Sequence, residues 1–150
     1  MHTAVTPSPT DAWVAQQLRE ATPWGEAPKY LIHDRDKKYG KQFKSVASST
    51  GIEALKTPYQ APKANAICER CIGSMKRECL DQMLIFHRNQ LRRVVKEYGE
   101  YYNCSRPHQG IGQLIPARYG ERQPARTGKI VATSVLGGLH HNYSRITYPH

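Results

Sequence analysis

Between Tyr30 and Thr57 the chain places one helical stripe between two short apolar runs, and few architectures accept that order. Tyr30-Leu31-Ile32-His33 reads as a short buried strand that closes at Asp34. A polar loop, Asp34-Arg35-Asp36-Lys37-Lys38-Tyr39-Gly40, follows it. Phe43, Val46 and Ala47 then recur at i, i+3 and i+4, the stripe of a short helix, with Gly51 placed to end it. Ile52 to Thr57 is a second strand candidate. Strand, helix and strand in succession predict a right-handed crossover and a parallel pair, hence an α/β unit.

The flanks extend this unit. Thr6-Pro7-Ser8-Pro9-Thr10 is a turn-rich entry, and Thr10 or Asp11 can cap a helix through Trp13, Val14, Gln17 and Leu18 that Pro23-Trp24-Gly25 ends. Pro58 to Ala64 must be loop; from Asn65 the sequence turns helical through Ile67, Cys68, Ile72, Met75 and Cys79. Leu91, Val94, Val95, Tyr98 and Tyr102 form one stripe of a longer helix ending near Asn103, with Arg92, Arg93, Lys96 and Glu97 largely off it. Glu121 to Gly128 reads as a linker. Ile130 to Leu136 is rich in strand formers, and Gly137-Gly138 can turn it back through Leu139 to Tyr143 as a hairpin. The expected organisation is a core over residues 1–118, then a linker and β-hairpin tail over 119–150.

A chain of 150 residues suffices for one modest core. No apolar run approaches membrane-spanning length and no signal segment follows Met1, so a soluble, intracellular protein without a membrane partner is expected. Lys and Arg total 22 against 12 Asp and Glu, a net charge of +10. Such an excess attracts phosphate backbones, with strongly salt-dependent binding. Cys68 and Cys71 form a C-x-x-C with His87, Cys104 and His108 downstream. A zinc site needs four converging ligands and the second close pair is absent, so zinc is not expected and the two thiols read as helix core.

Asp34 closes a predicted parallel strand, where open α/β sheets place their ligand sites. Glu69 lies one turn into the helix that follows the next strand. Two carboxylates from neighbouring elements suit divalent-metal phosphoryl transfer, since Mg²⁺ prefers hard oxygen ligands. The same residues also read as a turn aspartate and a solvated helix charge, and composition alone favours that simpler account.

Local sequence adds to the case. Ile32-His33-Asp34-Arg35-Asp36 with Tyr39-Gly40 resembles the second-aspartate motif of bacterial insertion-sequence transposases with an integrase core. Pro62-x-x-Asn65-Ala66-x-x-Glu69-Arg70, leading into Lys76-Arg77-Glu78-Cys79-Leu80, resembles the glutamate helix of that family. Tyr101-Tyr102-Asn103-x-x-Arg106-Pro107-His108-Gln109-Gly110 resembles its third hallmark. The two acids stand 69 − 34 = 35 positions apart, as the resemblance requires.

The resemblance implies a DDE transposase/integrase core: a ribonuclease-H-like fragment lacking the first strands, with a β-rich C-terminal tail. It implies cleavage and strand transfer of DNA, two-metal chemistry with Mg²⁺ or Mn²⁺, and a bacterial cytoplasmic, nucleoid-associated setting. By position Asp34 is the second acid and Glu69 the third, both metal ligands; Asp36 reads as loop-stabilising. Gly73 and Lys76 share a helix face with Glu69, Arg70 and Arg77 a neighbouring one, and Lys63 and Asn65 precede the helix. All six are candidate DNA contacts, with helix solvation the alternative for the arginines. Arg106 and His108 can contact DNA or lock the chain onto its core, and His33 is expected to face away from Asp34.

The first aspartate of the triad finds no counterpart; Asp11, the sole acid before Glu20, reads as a helix cap. The chain is therefore expected to be N-terminally truncated, inactive or nearly so alone, and prone to self-association or to pairing with an intact transposase. The competing reading is a non-catalytic DNA-binding or subunit-interaction module, with transposon ends and target DNA as partners in either case.

Overall fold

The structure is a computed structural model that describes residues 2–23, 25–58, 66–120 and 127–146. The chain divides into two compact units, His2–Glu78 and Cys79–His150. None of the described helices is long and apolar enough to cross a membrane.

In the first unit the order is α1 (Asp11–Ala21), β1 (Tyr30–His33), α2 (Lys41–Ser49), β2 (Glu53–Lys56) and α3 (Ala66–Glu78). Thr10 caps α1, its hydroxyl accepting the Trp13 N–H at 3.2 Å. The strands pair in parallel, from Tyr30 opposite Glu53 to His33 opposite Lys56, with α2 as the crossover. Ala15 and Leu18 of α1 pack with Phe43, Val46 and Ala47 of α2 and with Ile52; Leu31 and Ala54 of the sheet close the cluster. The stop after α2 is a Schellman motif. Gly51 at φ +74° lets the Gly51 N–H reach Ser48 O at 3.1 Å and the Ile52 N–H reach Ala47 O at 2.8 Å. Ile52 and Ala47, so joined, both enter the core.

The other sheet face is bare: Tyr30, Ile32 and Leu55 are 49%, 52% and 39% exposed, although parallel sheets are normally covered on both sides. The stripe on α3 also departs from the sequence reading. Ile67, Cys68 and Ile72 are exposed, Cys71 is half-buried, and Cys79 falls after the helix and is buried. Periodicity identifies an apolar face but does not say what covers it.

The second unit holds α4 (Arg88–Cys104) and an antiparallel ribbon of β3 (Lys129–Val135) and β4 (His140–Ile146), registered from Lys129 opposite Ile146 to Val135 opposite His140. His87 caps α4, with Nδ1 accepting the Gln90 N–H at 3.1 Å. Val94, Val95 and Tyr98 form the buried stripe. The ribbon is tied to α4 at two points. The Glu97 carboxylate accepts the Leu136 N–H in the turn, and the His140 ring stacks on Tyr101 at 4.7 Å and 8°. Glu97, placed off the stripe by sequence, is thus half-buried. Residues 121–126 of the expected linker lie outside the described residues.

Candidate active site

His33 fixes where β1 ends. Its ring is buried, tilted at 32° against Tyr39 at 4.6 Å and edge-on to Phe43 at 5.4 Å, and Nδ1 lies 2.6 Å from the Asp34 carbonyl oxygen. The strand alternation that turns His33 inward leaves Asp34 exposed at the C-terminal end of β1.

The loop after it is two successive Asx turns. Asp34 Oδ1 accepts the Asp36 N–H at 3.0 Å, and Asp36 Oδ1 accepts the Lys38 N–H at 3.0 Å. Lys38 Nζ then lies 3.0 Å from Asp36 Oδ2 and 3.9 Å from Asp34 Oδ2. The Lys38 N–H and then its ammonium hold the Asp36 carboxyl below the usual carboxylate range, and that same bond to Asp36 raises the Lys38 ammonium. Asp36 is therefore committed on both oxygens, whereas Asp34 Oδ2 meets only the more distant Lys38 among the described residues. Arg35 Nε donates to Thr57 O at 3.1 Å and the Thr57 N–H to His33 O at 2.9 Å, which ties this loop to the chain leaving β2.

Glu69 stands in the first turn of α3, exposed. Tyr39 packs against His33 and Phe43 beside the Asp34 loop. Its half-buried phenol is pushed up chiefly by burial and next by the Asp34 charge, with Cys68 adding to the rise and Lys38 opposing it. Among the described residues no group of three or more His, Cys, Asp or Glu side chains converges as a metal cluster.

Arg70 and Lys76 are exposed on α3. A Cβ at Gly73 would lie 3.1 Å from Arg77 Nη1, so the space over Gly73, read from sequence as room for close approach, holds the Arg77 guanidinium. Lys63 and Asn65 lie outside the described residues. Arg106 and His108 belong to the second unit and brace the turn after α4. Arg106 lies 5.4 Å over the Tyr102 ring; His108 Nε2 is 2.8 Å from Tyr102 O, with its ring edge-on to the same tyrosine at 4.3 Å.

Asp11 corrects the sequence reading most sharply. It caps α2, not its own helix. Oδ1 accepts the Gly40 N–H at 3.0 Å and the Phe43 N–H at 2.9 Å, and Oδ2 accepts the Gln42 N–H at 2.9 Å. The Phe43 and Gln42 N–H groups hold its carboxyl below the usual range, with Gly40 adding to them against a smaller rise from burial.

Asp34 thus stands at the C-terminal end of parallel strand β1, where open α/β sheets place ligand sites, and Glu69 stands on the helix that comes after β2. A family profile described as "Integrase core domain" matches residues 50–116, a span that contains Glu69 and begins after Asp34. An uncharacterized 39.2 kDa protein of insertion element IS476 from Xanthomonas euvesicatoria is 28% identical over 109 residues, covering 72% of this chain and 32% of the relative. The chain spans about a third of the length of that relative. Over these parts of its length the chain is similar to integrase-core and insertion-element proteins. An integrase core implies a ribonuclease-H-like α/β fold, with which the mixed helices and small sheets agree.

Proposed function

We propose that the chain contributes two acids, Asp34 and Glu69, to a divalent-metal centre that cuts and joins DNA phosphodiesters in transposition. The observation that carries this reading is the exposed Asp34 carboxylate at the C-terminal end of the parallel strand β1, with Glu69 exposed in the first turn of α3. The donor chemistry fits Mg²⁺ or Mn²⁺: both acids are exposed carboxylates, and Asp34 keeps Oδ2 clear of backbone donors. The chemistry a bound divalent ion supplies at such acids is activation of the attacking oxygen and stabilisation of the leaving one.

The chain's own residues set the surroundings. Lys38 places a positive charge beside Asp34, and Arg70 and Lys76 on α3 stand ready for phosphates. Arg77 over Gly73, with Lys63 and Asn65 before the helix, completes the proposed DNA contacts of the first unit; Arg106 and His108 are proposed contacts of the second unit by itself. Because the resemblance calls for three acids and supplies two, Asp34 and Glu69, we assign the isolated chain little or no strand transfer. Self-association or pairing with an intact transposase is the proposed route to a complete centre. That same observation favours, as the second reading, a DNA-binding module without chemistry.

Mn²⁺ titration followed by water proton relaxation tests the site. The expected result is wild-type binding that both Asp34→Asn and Glu69→Gln weaken, with DNA affinity retained. Binding indifferent to both substitutions overturns the metal site and leaves the DNA-binding module. Robust Asp34-dependent strand transfer by the chain alone would overturn its assigned inactivity.

A further inference from the structure

The β3–β4 ribbon has two unlike faces. Register and alternation place Lys129, Val131, Val135, His140 and Asn142 on one face, the last four of them half-buried. The opposite face carries Ile130, Ala132, Ser134, His141, Tyr143 and Arg145, every one exposed. Tyr143 is 69% exposed and Ile130 56%, an unusual display of apolar surface on a two-stranded ribbon. The His141 and Tyr143 rings, two residues apart on β4, have centroids 6.2 Å apart and a tilt of 35°. They offer two successive ring surfaces along one strand.

The charge around the rings has one sign. Residues 127–146 contain Lys129 and Arg145 and no Asp or Glu. Arg145 Nη1 donates to Gly128 O at 3.2 Å, which anchors the guanidinium at the base of the ribbon and leaves its other N–H groups for a ligand. Exposed rings beside the Arg145 charge, with no acid among residues 127–146, match unpaired bases on a phosphate backbone. Paired bases in a duplex hide their faces from such rings.

We propose that this outward face is a stacking platform for single-stranded DNA, with Tyr143 and His141 beneath successive bases and Arg145 on the phosphates. The polymer is taken from the function proposed above, but none of the residues is shared with the metal site.

Fluorescence anisotropy of the full chain tests it, using labelled oligothymidylate of about 20 nucleotides and a duplex of equal length over a range of salt. Tyr143→Ala is expected to weaken single-strand binding about ten-fold, and Tyr143→Phe to keep it. The slope of log affinity against log salt stays unchanged in Tyr143→Ala and falls by about one in Arg145→Ala. Wild-type affinity in Tyr143→Ala, a loss that Tyr143→Phe shares, or an equal loss on the duplex overturns the platform. Because Tyr143 is so exposed, circular dichroism of the variants should match wild type. Asp34→Asn should leave this binding intact, so failure of the metal site and failure of the platform read out separately.

Discussion

The Asp11 carboxylate and the Gly40 backbone are in such close contact that no other residue fits at position 40 without displacing the acid. Oδ1 accepts the Gly40 N–H at 3.0 Å, and a Cβ built on Gly40 would stand 2.5 Å from Oδ2 and 2.8 Å from the carboxyl carbon. Gly40 has φ −89°, so space and not backbone freedom requires the glycine. The contact closes the loop that begins at Asp34 and starts α2, whose own N-cap supplies no side chain.

A double-mutant cycle follows from that contact. Thr10→Ala removes one ordinary cap from α1 and should cost about 1 kcal/mol. Asp11→Ala removes the acceptor of three backbone N–H groups at the start of α2 and should lower the denaturant midpoint by more than Thr10→Ala does. Gly40→Ala should be similarly damaging in the native background but far milder when Asp11 is already alanine, because the clash is then gone. Additive losses from the two changes would show that the glycine serves some other purpose.

Acid sensitivity has a defined sign. The Asp11 and Asp36 carboxyls both lie below their ordinary 3.8 in the folded chain. The unfolded chain therefore binds their protons first as pH falls. Their stabilisation is complete above the unfolded value and is lost as pH drops through the folded values. Unfolding free energy should be flat down to about pH 5 and fall below it, with a shallower acid limb in Asp11→Asn. Equal acid limbs in Asp11→Asn and wild type would remove Asp11 from this account.

What the sequence made legible follows contact range. β1, α2 and the Gly51 stop are local patterns, and each occupies the residues that periodicity and the glycine indicated. The Asp11 link to Gly40 spans 29 positions and the Glu97 link to Leu136 spans 39, and no local pattern encodes either. α3 was legible as a helix, but its exposed Ile67 and Ile72 show that an apolar stripe carries no information about its cover. In the candidate site, Asp34 and Glu69 stood out by motif, whereas the roles of Tyr39 and Lys38 required coordinates because both act through packing and charge.

Thiol chemistry should sort the four cysteines. Cys68 and Cys104 are exposed, Cys71 is half-buried, and Cys79 is buried with its thiol pushed up to about 11 by burial and then by the Glu97 charge. Since the thiolate is the reactive form, a disulfide reagent at neutral pH should label Cys68 and Cys104 fast and Cys79 only on unfolding. Mass mapping that finds Cys79 labelled early in the native chain would contradict its placement.

The bare sheet face should make the chain self-associate. Ile32 and Leu55 are cross-strand partners in the parallel register, both exposed, with Tyr30 beside them. Apolar surface on a parallel sheet seeks cover. Sedimentation velocity should reveal concentration-dependent association that Ile32→Lys and Leu55→Lys each reduce. A chain that sediments as a monomer at every concentration, before and after substitution, would mean that this face needs no partner.

Lys38 sets the last prediction, because it occupies the approach that a cation would take to Asp34. Its ammonium is 3.9 Å from Asp34 Oδ2, with the two side chains 24% and 50% exposed. Solvent screens such a pair strongly, so its removal should change divalent-ion affinity only modestly. Lys38→Met should raise Mn²⁺ affinity about two- to five-fold by removing a competing positive charge. The same change frees the Asp36 carboxylate from its ion pair, so Asp36→Asn must be combined with Lys38→Met to exclude a new site there. If the gain persists in that double variant and vanishes when Asp34→Asn is added, the competition is for Asp34. Unchanged or reduced Mn²⁺ affinity in Lys38→Met would instead mean that the lysine holds the loop in the geometry the acid needs.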